Sequence, residues 1–221
     1  MMNEQLIEAI EKEKLIVIVR GVKTEKLIEL GEALYEGGVR LMEITFDATG
    51  AVSDEMTAEG IALLAKHFAG RMHIGAGTVI TEKQVDLTWR AGGTFIISPD
   101  TNEAVIAKTK ELGMISIPGA LTPTEAQRAH RAGADFVKLF PAGSLGASYL
   151  KAISAPLSHI RFLVVGGIDE KNIPEYRKAG ARGFGIGSAI VNAKALERCD
   201  AAQLTALAKK YVEVIQNFDI K

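Results

Sequence analysis

Cysteine is almost missing from this chain. Cys199 is the single one in 221 residues, so no internal disulfide can form, and a reducing compartment suits such a chain. Surplus charge is missing too: 26 basic side chains stand against 27 acidic ones, for a net charge of −1. Nucleic-acid binders carry basic clusters interleaved with aromatics, and no such cluster is present. Long apolar runs are absent. The longest, LIVIV at 15–19, has about five residues, where a membrane helix needs ~20. The opening MMNEQLIEAIEKEK is charged and amphipathic, unlike a secretory signal. Metal-ligand spacing is lacking: His67 and His130 fall on predicted helices, His73 opens a strand and His159 lies in a loop. Cys199 has no local histidine partner motif, and Trp89, on a predicted helix over 82–91, is expected to pack in the core. No linker, low-complexity tract or second composition is visible. The expectation is one soluble, cytoplasmic domain over residues 1–221, with no membrane or nucleic-acid partner.

What the chain does contain is a weak internal repeat: a helix, then Gly or Ala-Gly, then an apolar strand. It recurs as YEGGVRLMEITF, RAGGTFIIS, ELGMISIPG, RAGADFVKLF and KAGARGFGIG. Gly92, Gly113 and Gly133 fall at an even spacing, and Gly180 stands about two periods further on. Each suits a helix C-cap, where left-handed backbone is cheap only without a Cβ. Eight strands are predicted, at 15–20, 40–46, 73–79, 95–99, 114–118, 136–141, 161–167 and 183–188, after a leading helix over about 3–13. Helix starts are legible in TPTE (122–125), where Thr122 caps, Pro123 is the first helical residue and Glu125 completes a capping box. TEKQ (81–84) and DTNE (100–103) look similar. Alternating βα units build either a closed eight-stranded barrel or an open doubly wound sheet. The open sheet favours a Gly-rich fingerprint after its first strand, and VRGVKTEK has none. A single (β/α)8 barrel of the TIM type with an extra N-terminal helix is therefore predicted.

Strand alternation then sorts the side chains. In DFVKLFP, Val137 and Leu139 form one face, and Phe136, Lys138 and Phe140 the other. The helix-facing layer must be apolar, so Lys138 points into the barrel. In RLMEITF the inward set is Leu41, Glu43 and Thr45. Arg20 closes the first strand in register with Ile16 and Ile18 and points inward near the mouth. Lys138 and Glu43 read in two ways. They are a buried structural ion pair, whose desolvation its own attraction need not repay, or they are a reactive pair. In the second reading an apolar pocket lowers the lysine pKa, its neutral amine attacks a carbonyl, and the carboxylate moves protons. That set performs Schiff-base chemistry without a metal or organic cofactor. An isomerase or epimerase on the same barrel, or a non-catalytic phosphometabolite binder, remain the other readings.

The last two strands end in VVGGI (164–168) and GIGSA (185–189). Glycines there let backbone amides approach an anion, and a short helix beginning near Ser188 would aim its N-terminus at the same point. GAGTV (75–79) offers another close-approach loop, with the Thr78 hydroxyl.

The ordered set MEITF, GAGTV, ISP, IPG, TPTEA, VKLFPA, VGGI and GIGSA resembles the class I 2-keto-3-deoxy-6-phosphogluconate/4-hydroxy-2-oxoglutarate aldolases over about residues 7 to 215. The resemblance implies that Lys138 is the Schiff-base lysine and Glu43 the general acid/base. It implies that Thr78, Pro99 and Phe140 contact substrate, and that Gly166, Gly167, Gly187 and Ser188 bind phosphate. It also implies a small keto-acid substrate and a homotrimer. Two positions depart from the gluconate type: Asp47 stands where an arginine is usual, and Val164-Val165 stand where Pro-Thr is usual. VVGGI and IVRG are closer to the 2-keto-3-deoxy-6-phosphogalactonate branch, in which the first-strand arginine contacts substrate. By that resemblance Arg20 replaces the missing cation.

Overall fold

Strands and helices alternate from the first strand onward. The computed structural model describes residues 2–191 and 201–217; Cys199 and any helix continuing beyond residue 191 lie outside them. In chain order the elements are α1 (Met2–Glu13), β1 (Leu15–Val19), α2 (Leu27–Glu36), β2 (Leu41–Thr45), α3 (Asp54–His67), β3 (His73–Gly77), α4 (Glu82–Arg90), β4 (Phe95–Ile97) and α5 (Glu103–Glu111). There follow β5 (Ile115–Ile117), β6 (Gly119–Ala120), α6 (Pro123–Arg131), β7 (Val137–Leu139), α7 (Ala147–Ser154), β8 (Phe162–Val165), α8 (Ile173–Lys178), β9 (Gly183–Ile186) and α9 (Ala201–Gln216). The repeated glycines take the left-handed backbone expected of them, with φ of 82° at Gly92, 71° at Gly113, 99° at Gly133 and 103° at Gly180.

The strands run in the order β5-β4-β3-β2-β1-β9-β8-β7-β6, and every described pairing is parallel. Where one continuous fifth strand is expected over 114–118, two short strands are found. Pro118 separates them, since it has no N–H to give to a ladder. The first half pairs with β4 and the second with β7. Asp135 N donates to Ser116 O at 3.0 Å and Lys138 N to Pro118 O at 2.9 Å, so this broken strand joins the two ends of the sheet. The architecture is the (β/α)8 barrel.

Two apolar clusters lie on the two sides of the strands. One gathers the outward residues, among them Val17, Met42, Ile44, Val137 and Leu139, against the helices. The other is the barrel interior: Ile16, Leu41, Phe95, Ile97, Ile115, Ile117, Phe136 and Leu163. Leu6 and Ile10 of α1 belong to this inner cluster, so the extra helix closes the barrel at the N-terminal end of its strands. No helix among the described residues is long and apolar enough to cross a membrane.

Three local expectations meet the structure with different outcomes. Thr122 caps α6 in a full capping box with Pro123 and Glu125, and Thr81 caps α4. DTNE, however, is capped not by its first residue, Asp100, but by Asn102, whose side chain accepts from Ala104 N and Val105 N, so that the helix starts at Glu103. Trp89 is not in the core. It is 50% exposed, because α4 turns Gln84, Val85 and Thr88 inward and Trp89 follows a full 100° further round.

Candidate active site

The inward rows change character along the barrel axis. On β2 the inward row is Leu41, Glu43, Thr45; on β7 and its flanks it is Phe136, Lys138, Phe140. The N-terminal members belong to the apolar interior. Above them Glu43 is 2% and Lys138 7% exposed. Around the closed ring β2 and β7 are four strands apart in either direction, so the two side chains face each other across the axis. Room for the carboxylate comes from β3. Gly75 and Gly77 are inward positions with no side chain: a Cβ on Gly75 would collide with the Phe95 ring, and one on Gly77 with the Glu43 carboxylate. Gly75 to Gly77 of GAGTV lie in the strand expected over 73–79, and the glycines serve packing of the interior.

Burial pushes the Glu43 carboxyl up to about 7, against the pull of Lys138 and Arg20. Burial likewise draws the Lys138 ammonium below its ordinary value; Glu43 opposes that shift and Arg20 adds to it. The two shifts run toward each other, since burial disfavours the charged form of both groups. Among the described residues Glu43 Oε2 and the Thr45 hydroxyl have no hydrogen-bond partner, a costly state for enclosed polar atoms. The Phe140 ring lies with its centroid 4.6 Å from Lys138 Nζ. It stands at the mouth, 37% exposed, and also abuts Gly166, where a Cβ would come 3.1 Å from the ring.

The remaining sequence-marked residues gather on the same rim, at the C-terminal ends of the strands. Round one half of the ring stand Glu43 on β2, Arg20 after β1, Gly187 and Ser188 after β9, Gly166 and Gly167 after β8, and Lys138 on β7. Arg20 is exposed at the mouth, yet its charge reaches both Glu43 and Lys138. Pro99 follows β4 on the inward row of Phe95 and Ile97, its carbonyl against Gly119. Thr78 holds a left-handed φ of 56°, a strained state for a β-branched residue. Gly166 and Gly167 have φ of 87° and 73°. The N–H groups of Gly167, Ile168, Ser188 and Ala189 find no acceptor among the described residues. The turn at 188–190 is closed by Ile190 N and Val191 N donating to Gly187 O, both at 2.9 Å.

Asp47 does not line this arrangement as a cation would. Its carboxylate accepts from Thr49 Oγ1 at 2.7 Å, Thr49 N at 2.9 Å and Val52 N at 3.0 Å, which holds it below the usual carboxylate range. Val165, inward on β8, packs beside Gly185 and makes that wall apolar. The histidines lie elsewhere: His67 pairs with Glu32 at 2.6 Å, and His159 meets Gln127 at 3.1 Å and the His130 ring. Among the described residues no three His, Cys, Asp or Glu side chains gather as metal ligands.

A parallel barrel with a buried lysine and glutamate opposed across its axis defines a class of barrel lyase, and sequence comparison places the chain within it. The family model described as KDPG and KHG aldolase matches residues 6–207, and the chain belongs to that family. It is 34% identical over 212 residues to the 2-dehydro-3-deoxy-phosphogluconate aldolase of Treponema pallidum, covering 95% of this chain and 97% of that one. It is 32% identical over 203 residues to the 2-dehydro-3-deoxy-6-phosphogalactonate aldolase of Escherichia coli, covering 91% and 96%. Among solved structures, the KDPG aldolase of Legionella pneumophila, with pyruvate captured as a covalent carbinolamine, superposes with a TM-score of 0.80 at 28% identity, covering 92% of this chain and 96% of that one.

Proposed function

We propose that the chain is a class I aldolase that cleaves a 2-keto-3-deoxy-6-phospho sugar acid, or 4-hydroxy-2-oxoglutarate, to pyruvate and an aldehyde. The observation that carries this reading is the placement of Lys138 and Glu43 inside the barrel. A structural ion pair would be expected to satisfy its own buried charge, and Glu43 Oε2 is left without a partner among the described residues.

In this reading neutral Lys138 Nζ adds to the C2 ketone. Glu43 donates the proton that lets the carbinolamine hydroxyl leave as water, and an iminium forms. The Glu43 carboxylate then takes the C4 hydroxyl proton. The C3–C4 electron pair moves into the iminium as an enamine, while the C4–O bond becomes the carbonyl of the leaving aldehyde. Glu43 returns a proton to C3, and water releases pyruvate and the free amine. The Phe140 ring shields the amine from bulk water. The free amides after β8 and β9 suit a phosphate, which makes glyceraldehyde 3-phosphate the aldehyde for phosphorylated substrates and glyoxylate the aldehyde for 4-hydroxy-2-oxoglutarate. With Asp47 committed to its own loop, Arg20 is the cation available to hold the substrate carboxylate, which favours the galactonate-type acid. Thr78 and Pro99 complete the rim.

The half-exposed Trp89 and Met56 are apolar surface of the kind a subunit interface covers, in keeping with a homotrimer; light scattering on the purified protein reads the assembly directly. A cytoplasmic enzyme fits the same chemistry. The deciding assay is pyruvate release from gluconate-type and galactonate-type 2-keto-3-deoxy-6-phospho acids and from 4-hydroxy-2-oxoglutarate. Release from at least one phosphorylated acid, greatest for the galactonate type, is expected. Failure of all three to yield pyruvate ends the proposal.

A further inference from the structure

The loop that follows β8 contains an asparagine whose side chain works against the local rule. Asn172 occupies the N-cap position of α8 yet makes no side-chain bond to that helix. An asparagine there ordinarily gives its side-chain oxygen to the first-turn amides, a contact that stabilises the helix. Here the side chain reaches back along the loop instead. Its Nδ2 donates to Gly167 O at 2.8 Å, and its Oδ1 accepts from Asp169 N at 3.0 Å. The other glycine carbonyl is taken as well: Gly143 N donates to Gly166 O at 2.7 Å. With both carbonyls occupied, the N–H groups of Gly167 and Ile168 have no acceptor among the described residues. Asn172 thus spends its side chain on the loop rather than on the helix it precedes.

The same loop has a second anchor. Glu170 accepts from Lys210 Nζ at 2.9 Å and from the Tyr211 hydroxyl at 2.8 Å, both on α9. Asp169 Oδ1 accepts from Lys171 N at 2.9 Å and Asn172 N at 3.1 Å, closing the turn. The paired glycines, which by themselves are the least ordered residue type, are thus held by side chains that do not reach the site.

We infer that Asn172 is a positioning residue for phosphate recognition: by holding the Gly167 carbonyl it turns the amides after β8 toward the mouth of the barrel, and so sets the preference for phosphorylated over unphosphorylated keto acids. The inference rests on the aldolase reading and deepens it. It makes Asn172 irrelevant to imine formation, because Lys138 and Glu43 are held by β7 and β2.

The test compares kcat and KM of the native protein, Asn172→Ala and Asn172→Asp on a phosphorylated 2-keto-3-deoxy acid and on 4-hydroxy-2-oxoglutarate, with inorganic phosphate as a competitive probe. Asn172→Asp keeps the acceptor for Asp169 N and loses the donor to Gly167 O. Both variants are expected to raise KM for the phosphorylated acid and the inhibition constant of phosphate by about 10- to 100-fold, the usual cost of a misplaced binding group. Their kcat/KM on 4-hydroxy-2-oxoglutarate stays within about twofold of native. Equal losses on both substrates, or a native preference retained by Asn172→Asp, overturn the inference. A native protein that shows no preference for the phosphorylated acid overturns the phosphate reading itself, before any variant is made. If Asn172→Ala does not fold, a role in stability alone is indicated and the inference fails.

Discussion

The two halves of the barrel interior are built from the same strands yet answer to different demands. The lower half, Ile16, Leu41, Phe95, Ile115 and Phe136 with Leu6 and Ile10 of α1 beneath, is a sealed apolar core. One turn of the pleat higher, the same rows present Glu43, Thr45 and Lys138, buried but polar. The lower half lends stability and performs no chemistry. The upper half holds two ionisable groups whose charged forms burial disfavours, and a hydroxyl without a partner among the described residues. The contrast teaches that position along the strand axis, and not burial as such, separates the core of this fold from its site. It also means that substitutions in the lower half should cost stability and spare turnover, while those in the upper half should cost turnover and spare stability.

Lys138→Arg is expected to have the largest effect. Guanidinium stays protonated and cannot attack a ketone, so turnover in a pyruvate-release assay should fall by at least about 10⁴-fold. Wild-type rates in this variant would refute the scheme. Glu43→Gln comes next. It should lower kcat by about 10²- to 10⁴-fold and yet raise thermal stability above neutral pH. The sign follows from linkage: a carboxyl lifted from 4.5 to about 7 by burial contributes stability that is fully present below pH 4.5 and is lost as pH rises through 7. Above pH 7 that loss is on the order of 3 kcal/mol, and the glutamine, which never ionises, escapes it. Melting curves at pH 5 and pH 8 should therefore show the variant gaining on the native protein as pH rises; a gap that shrinks would contradict the burial account. By the same titration native kcat/KM should drop on the alkaline side of about pH 7, where Glu43 has lost the proton it must first give to the carbinolamine.

Phe136→Ala probes the lower half. Removing this ring, 1% exposed, should cost about 3–5 kcal/mol in denaturant unfolding while kcat at low temperature changes little. Comparable losses of rate at full occupancy of the folded state would merge the two halves. The smallest effect belongs to Thr45→Val. Replacing a buried, unpartnered hydroxyl by a methyl of the same shape should stabilise by about 1 kcal/mol, a rise in Tm of roughly 2–4 °C. A fall in Tm would mean that the hydroxyl has a partner after all.

The fold was legible because its signals repeat. Even spacing of Gly92, Gly113 and Gly133 marks the helix ends, and alternation within DFVKLFP and RLMEITF assigns the two faces of the strands. Lys138 and Glu43 stand out by the same alternation, since an ionisable residue on an inward row has no bland surface to occupy. What escaped depends on contacts between distant segments. Pro118 reads as a strand end and in fact divides a strand that serves two neighbours. Trp89 reads as core by residue type, though the faces of α4 are set by its packing on the barrel. Asn172 is hidden because an asparagine before a helix is an ordinary cap; only the reach of its side chain to Gly167 distinguishes it. Gly75 and Gly77 read as a close approach to a ligand, and their purpose in packing appears only when the Phe95 ring and the Glu43 carboxylate are seen to fill the space above them.

One lysine must lose its proton inside the barrel and bond to a ketone for any of the chemistry to follow. Incubation with pyruvate, reduction with borohydride and mass mapping of the peptides tests this directly. The account predicts one stable adduct, located on Lys138 and absent from Lys138→Arg. No adduct, or an adduct on any other lysine, would contradict it.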